Sequence, residues 1–381
     1  MREPSQPSAF PQENSQVISP KEHFRYLDSL RGWAALGVIL IHGTLLSKQS
    51  GIPFVLGISG QRGVQLFYVI SAFTLWHSLE IRPSRERHPL GNYFIRRFFR
   101  IAPLFYLAVI GNLLVNGLAD LTPIQIFMGL AFLNGIDPST INAVAIGGWS
   151  IAVETTFYAV LPLLFAFVKN LRQALFLLTG VFILGQVLSD ACYRYFQKLL
   201  WSEYFYFYWF PIEFPIFCMG IAAYFFWKQY LRNRKFFFRQ RISFALILGS
   251  ILIFVSSLPI SNAKLYWSSL AFIPLILGLS LHEWKFFVNP VTGFLGRISY
   301  SLYLTHFFCL IFIDKACRYV QETCHFHIDG TFVGWVLVFT SLLFSAVVLS
   351  TLTYFIVEKP GIRLGRYLIQ RREKEPITAR I

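Results

Sequence analysis

Apolar stretches of about 18 to 27 residues recur along nearly the whole chain, each long enough to cross ~30 Å of hydrocarbon as a helix. They lie at 27–47, 63–81, 99–118, 148–168, 173–191, 211–227, 242–260, 264–281, 295–314 and 331–357. Within lipid a segment must satisfy its own backbone hydrogen bonds, so such a chain folds as a bundle of helices. The expected fold is therefore all-α: a polytopic integral membrane protein with about ten transmembrane helices. An eleventh apolar stretch, 122–134, is too short to span and reads as a re-entrant or interfacial helix. Composition agrees, since only 14% of the 381 residues are charged, against about 25% in soluble domains.

The charge that does occur is one-sided. A net charge of +15 would suggest nucleic acid in a soluble protein. Here it sorts by position instead. With ten spans and both termini inside, 27 of the 34 basic residues fall in cytoplasmic segments and 7 in outer loops. Making 122–134 a true span would invert everything after it and place two basic clusters outside. The expected location is the cell (inner) membrane, multi-pass, with both termini cytoplasmic and no nucleic-acid partner. Residues 1–23, with four prolines and no apolar core, read as a disordered tail and not a signal peptide. Residues 368–381 read as a basic cytoplasmic tail. The five cysteines lack metal-ligand spacing, so no metal site is expected, and they imply no disulfide framework.

Ionisable groups inside a membrane are costly, and each is a functional candidate. Arg31 and His42 are eleven residues apart, three helical turns plus about 20°, hence on one face and ~16 Å apart along the axis. An arginine at the water boundary suits a phosphate. A histidine near mid-membrane suits general-base work. The structural alternative is a snorkelling arginine and a packing histidine. Arg97 and Arg100, three apart, lie at the same depth as Arg31 and suit either a polyanion or a topology signal. Glu154 lies about two turns below the outer surface and would orient a histidine, grip a sugar hydroxyl or form an interhelical salt bridge. Glu213 is a weaker candidate of the same type. Ser299, Tyr303 and His306 share a helix face, where polar groups serve either as glue between helices or as a site. Glu358 ends the last span and reads as a structural cap.

Taken together, these segments resemble the membrane-bound acyltransferase-3 family of O-acyltransferases over about residues 24–367. Tyr26-Leu27-Asp28-Ser29-Leu30-Arg31-Gly32 followed by His42 resembles the family's Arg-x10-His motif, and the run Gly63 to Phe73 its second-span signature. Arg97-x-x-Arg100-Ile101-x-Pro103, Trp149-Ser150-Ile151-Ala152-Val153-Glu154, the Ser299 to His306 run and Glu358-Lys359-Pro360 follow in order. Gln65, Ala72 and Thr155 depart from the Asp, Gly and acidic residue that the family usually has there. The resemblance is to a stand-alone form, without the soluble hydrolase-like domain that some members carry at the C-terminus.

The resemblance implies acyl transfer, most often acetyl, from cytoplasmic acyl-coenzyme A to a hydroxyl of a cell-surface carbohydrate or lipid-linked sugar. Acyl-coenzyme A is then a co-substrate and no cofactor is permanently bound; the partners are that donor, a carbohydrate or glycolipid acceptor and the bilayer. Arg31, Arg97 and Arg100 would hold the coenzyme phosphates, and His42 would act as general base, with Glu154 orienting either His42 or the acceptor from above. Asp28, Ser299, Tyr303 and His306 would support them. A covalent acyl-enzyme is the alternative chemistry. A secondary transporter would also have about ten spans and mid-membrane charges, but paired broken helices in repeated halves are not visible. A structural or sensory membrane protein is the third class.

Overall fold

The computed structural model describes residues 24–82, 86–117, 121–137, 140–195, 208–232, 237–258, 264–324 and 329–374. The expected tail at 1–23 lies outside them, as does 375–381. The described residues form helices and connecting turns, with no strand among them. In chain order the helices are α1 (Arg25–Leu46), α2 (Gly51–Ser59), α3 (Gly63–Ile81), α4 (Pro89–Asn116) and α5 (Pro123–Leu130). Then follow α6 (Gly148–Phe167), α7 (Leu171–Tyr195), α8 (Phe210–Phe226), α9 (Arg239–Ser256) and α10 (Leu265–Leu270). The last are α11 (Phe272–Leu281), α12 (Pro290–Arg297), α13 (Ser299–Cys324), α14 (Phe332–Thr353) and α15 (Lys359–Lys374).

All ten expected stretches are helical over most of their described residues. Among the described residues seven helices are long and apolar enough to cross a membrane, or eight if the bent pair α12–α13 counts as one span. The other two stretches are α3, whose Gln65, Ser71, Thr74, His77 and Glu80 lower its hydropathy, and the short apolar segment Leu265–Leu281. The chain is a polytopic all-α membrane protein. The 122–134 stretch contains only the eight-residue α5, started by Pro123 and a reciprocal Thr122–Gln125 capping box.

Long-range hydrogen bonds and ion pairs mark the two ends of the bundle. At one end Gln49 donates to the Thr331 carbonyl at 3.0 Å and Lys48 pairs with Asp329 at 2.6 Å. At the other, Asn92 donates to Glu373 at 2.7 Å and the Trp33 indole donates to the Phe287 carbonyl at 3.1 Å. Arg31 lies toward the second end and His42 toward the first. Between them α8 is the central helix: 78% of the apolar window of Phe210–Leu231 is buried, against 11% for Leu171–Cys192 on the flank.

The 295–314 stretch is not one straight helix. It breaks between α12 and α13 with a bend of 76°. Asn289 caps α12 through the Val291 and Thr292 amides, both at 3.0 Å, and Pro290 opens it. α12 is then pressed against α1. A Cβ on Gly296 would lie 1.7 Å from the Asp28 carbonyl oxygen, and one on Gly32 would lie 2.3 Å from the Thr292 carbonyl oxygen. Only glycine permits that approach, so α12 lies along α1 and α13 must turn away. A second irregularity joins α14 to α15, a π-helical turn at Tyr354–Glu358. Such turns are frequent at functional sites, and this one carries Glu358 into the interior, where it is 1% exposed.

Candidate active site

Five helices, α1, α3, α4, α6 and α13, enclose a cavity of about 240 Å³. Six of the residues singled out in the sequence line it: Arg31, Arg97, Arg100, Glu154, Ser299 and Tyr303. The lining thus carries three guanidinium groups against one carboxylate, Glu154, in a space walled otherwise by serine, threonine, tyrosine and apolar side chains.

Each arginine is held differently. Arg31 donates to Asp28 at 2.8 Å, one helical turn back, and to the Thr74 hydroxyl of α3 at 3.0 Å. Asp28 therefore aims Arg31 without lining the cavity. Arg100 is ion-paired with Glu358, whose other carboxylate oxygen accepts from Ser301 at 2.6 Å. Its guanidinium also lies 5.7 Å from the Tyr300 ring centre. Arg97 lies 5.6 Å from the Tyr158 ring centre, in the range of a cation–π contact. Its buried Nε has no hydrogen-bond partner.

Glu154 accepts from the Ser71 hydroxyl of α3 at 2.8 Å and from the Tyr158 hydroxyl, one turn along α6, at 2.6 Å. Two donors on one carboxylate oxygen stabilise it as an acceptor away from bulk water. His42 is not one of its partners. Nor does His42 line the cavity: its ring lies 5.1 Å from that of His306 and 4.9 Å from that of Phe307. Of the two roles expected for Glu154, orienting His42 or the acceptor, the first has no hydrogen bond to His42 behind it.

His306 is fully buried, with Nδ1 3.2 Å from the Leu302 carbonyl. A carbonyl can only accept, so Nδ1 carries the proton in that contact and Nε2 is left as a buried acceptor without a partner. Tyr303 connects the two halves of the site. It lines the cavity, its ring is 5.8 Å from that of His306, and its hydroxyl meets Ser150 at 2.7 Å and the Gly147 carbonyl at 3.1 Å.

Glu213 lies apart from the cavity, buried and accepting from Gln65 at 3.0 Å. Gln65 departs from the expected aspartate there, and the contact explains why an amide is suited to the position. A carboxylate facing Glu213 could make this hydrogen bond only if one of the two were protonated. Reading the sequence for charges missed Ser71, Thr74, Tyr158, Tyr300 and Ser301, and it treated Glu358 as a cap. Ser71, Tyr300, Ser301 and Glu358 stand inside the quoted motifs, which was the available signal. Tyr158 follows Glu154 at i+4, the spacing at which helix side chains meet.

Across residues 24–355 the chain matches the family described as an acyltransferase domain. It is 28% identical over 290 residues to ORF330 of Acidianus two-tailed virus, a candidate acetyltransferase, covering 73% of this chain and 80% of that protein. It is 28% identical over 342 residues to the exopolysaccharide production protein ExoZ of Rhizobium meliloti (strain 1021), covering 84% and 94%. No solved structure matches.

Proposed function

The chain belongs to this acyltransferase family, and we propose that it is an O-acetyltransferase carrying acetyl from acetyl-coenzyme A to a carbohydrate hydroxyl. The observation that carries the reading is the convergence of Arg31, Arg97, Arg100 and Glu154 on one cavity. Guanidinium groups match phosphate oxygens in fixed, two-pronged geometry, so the arginine end receives the coenzyme phosphates. That end is the cytoplasmic one, in keeping with the basic residues that gather there. The extended pantetheine arm then carries the thioester through the cavity toward the histidines.

On this reading the acceptor hydroxyl meets the thioester beside His42 and Phe307. His42 takes the proton from the attacking hydroxyl. The new ester bond forms as the carbon–sulfur bond breaks, and the coenzyme thiolate leaves toward the arginines. Glu154, steadied by Ser71 and Tyr158, orients the reacting groups by accepting a hydrogen bond from the acceptor. His306 backs the His42 ring. The name of ExoZ links that relative to exopolysaccharide production. For this chain the acceptor class is accordingly a surface polysaccharide or its lipid-linked precursor.

The test supplies radiolabelled acetyl-coenzyme A to membranes containing the full chain. Label should enter glycan or glycolipid as an alkali-labile ester, with release of free coenzyme A. Purified protein that moves a solute across vesicles while leaving acetyl-coenzyme A intact would overturn the reading.

A further inference from the structure

A second cavity of about 600 Å³ adjoins the first. Its lining is largely apolar and comes from four places: Phe94 and Phe98 on α4, Phe132 and Ile136 after α5, Ala159 on α6, and Trp209 before α8. Phe94, Phe98 and Ile136 are exposed on the outer flank of the bundle, so the cavity opens sideways. Arg97, Ile101 and Tyr158 line both cavities. The partition between a polar chamber and an apolar side groove is thus the Arg97–Tyr158 pair itself, whose tyrosine hydroxyl is bonded to Glu154.

We infer that this groove holds the hydrocarbon tail of the acceptor, so that the acceptor is a lipid-linked sugar reaching the site laterally from the bilayer. The inference deepens the proposed acyl transfer and rests on it. Coenzyme A is water-soluble and reaches its arginines from the end of the bundle. The groove opens on the flank of a membrane-spanning helix, where the surrounding solvent is lipid and the molecules at hand are lipid-dissolved. A tail lying there stays in an apolar environment while its sugar passes Arg97 and Tyr158 into the polar cavity. Ligand sites commonly combine such an apolar bed with a few convergent polar groups.

The experiment uses the full chain in lipid nanodiscs with a diazirine-bearing polyprenyl phosphate as probe, and reads the crosslinked peptides by mass spectrometry. Acetyl transfer to extracted glycolipid is measured in parallel. Labelling should concentrate on 94–101 and 152–159 and fall about tenfold in Thr156→Trp, which fills the groove from α6. Ala159→Phe, at an exposed position, is the second variant should the first fold poorly. Labelling spread evenly over lipid-facing positions such as Phe176 and Phe344, or unchanged in both variants, would overturn the tail assignment while acetyl transfer persists. A diazirine-bearing palmitoyl-coenzyme A that labels the groove in its place would also overturn it, by giving the groove to the donor. Groove labelling without any acetyl transfer would leave the tail site standing and sink the acyltransfer reading.

Discussion

The Arg100 guanidinium and the Glu358 carboxylate, 258 residues apart in the chain, form an ion pair at the wall of the cavity. The pair ties α4 to the π-helical turn between α14 and α15, and Ser301 joins the same carboxylate from α13. Removing one partner of a buried pair strands the other. Because Arg100 keeps 30% of its side chain exposed, Glu358→Gln should cost roughly 2–3 kcal/mol, below the range for fully buried pairs. Its melting temperature in detergent should fall by about 3–6 °C. The double variant Arg100→Gln/Glu358→Gln should lose less than the sum of the single losses. Strict additivity would contradict the pairing.

Arg31 and Arg97 line the cavity, whereas Arg96 points elsewhere and pairs with Glu86 at 2.8 Å. A lost charge-assisted hydrogen bond is worth about 1.5–3 kcal/mol. Arg31→Ala and Arg97→Ala should therefore weaken coenzyme A binding by about 10- to 100-fold. Arg96→Ala should stay within about twofold of wild type, as expected for an arginine paired away from the site. Equilibrium binding of coenzyme A to purified protein separates the three. Equal losses for all of them would mean that the arginines act only through overall charge.

The Glu154 carboxylate is held by Ser71 and Tyr158. Glu154→Gln should lower kcat by about 10²-fold or more, the scale of a lost acid–base or orienting group. Tyr158→Phe and Ser71→Ala each remove one donor and should cost about tenfold, the low end for a hydrogen bond to a charged group. In all three variants the KM for acetyl-coenzyme A should change less than kcat. A rise in KM with kcat unchanged would move Glu154 from the reacting groups to donor binding.

Gly296 and Gly32 bring α12 against α1. Gly296→Ala places a methyl group on the Asp28 carbonyl oxygen, and overpacking of this kind costs about 1–3 kcal/mol. Since Asp28 aims Arg31, coenzyme A affinity should fall together with stability. Gly293→Ala, whose Cβ would meet the Ser29 hydroxyl at 3.8 Å, should leave both unchanged. Loss of stability with full coenzyme A affinity would separate the helix contact from the site.

The helices were legible because apolar runs of spanning length admit few other folds in lipid. The cavity was legible in its charges: Arg31, Arg97, Arg100 and Glu154 are costly in a membrane and stand out against an apolar background. Neutral partners such as Ser71, Thr74 and Tyr300 did not stand out, because polar side chains between helices are commonly packing glue. Glu358 was visible, but its partner was not, since nothing local ties it to Arg100. The break before Ser299 was hidden for a similar reason. It follows from close approach of two glycines on different helices, and hydropathy along one helix carries no trace of that contact. The His42–His306 pairing joins two residues noted separately, one near mid-membrane and one on a polar helix face; that neither lines the cavity could be learned only from the packing.

His42 lies beyond the arginine-lined cavity, against His306 and Phe307, and general-base work at that position is the central assignment. The most direct test is mass spectrometry of surface glycans and glycolipids from cells carrying no gene, the wild-type gene or His42→Ala at matched membrane levels. The wild type should add one acetyl group to a glycan or glycolipid, and His42→Ala should lose that gain while still binding coenzyme A. An equal mass gain from His42→Ala would contradict the assignment.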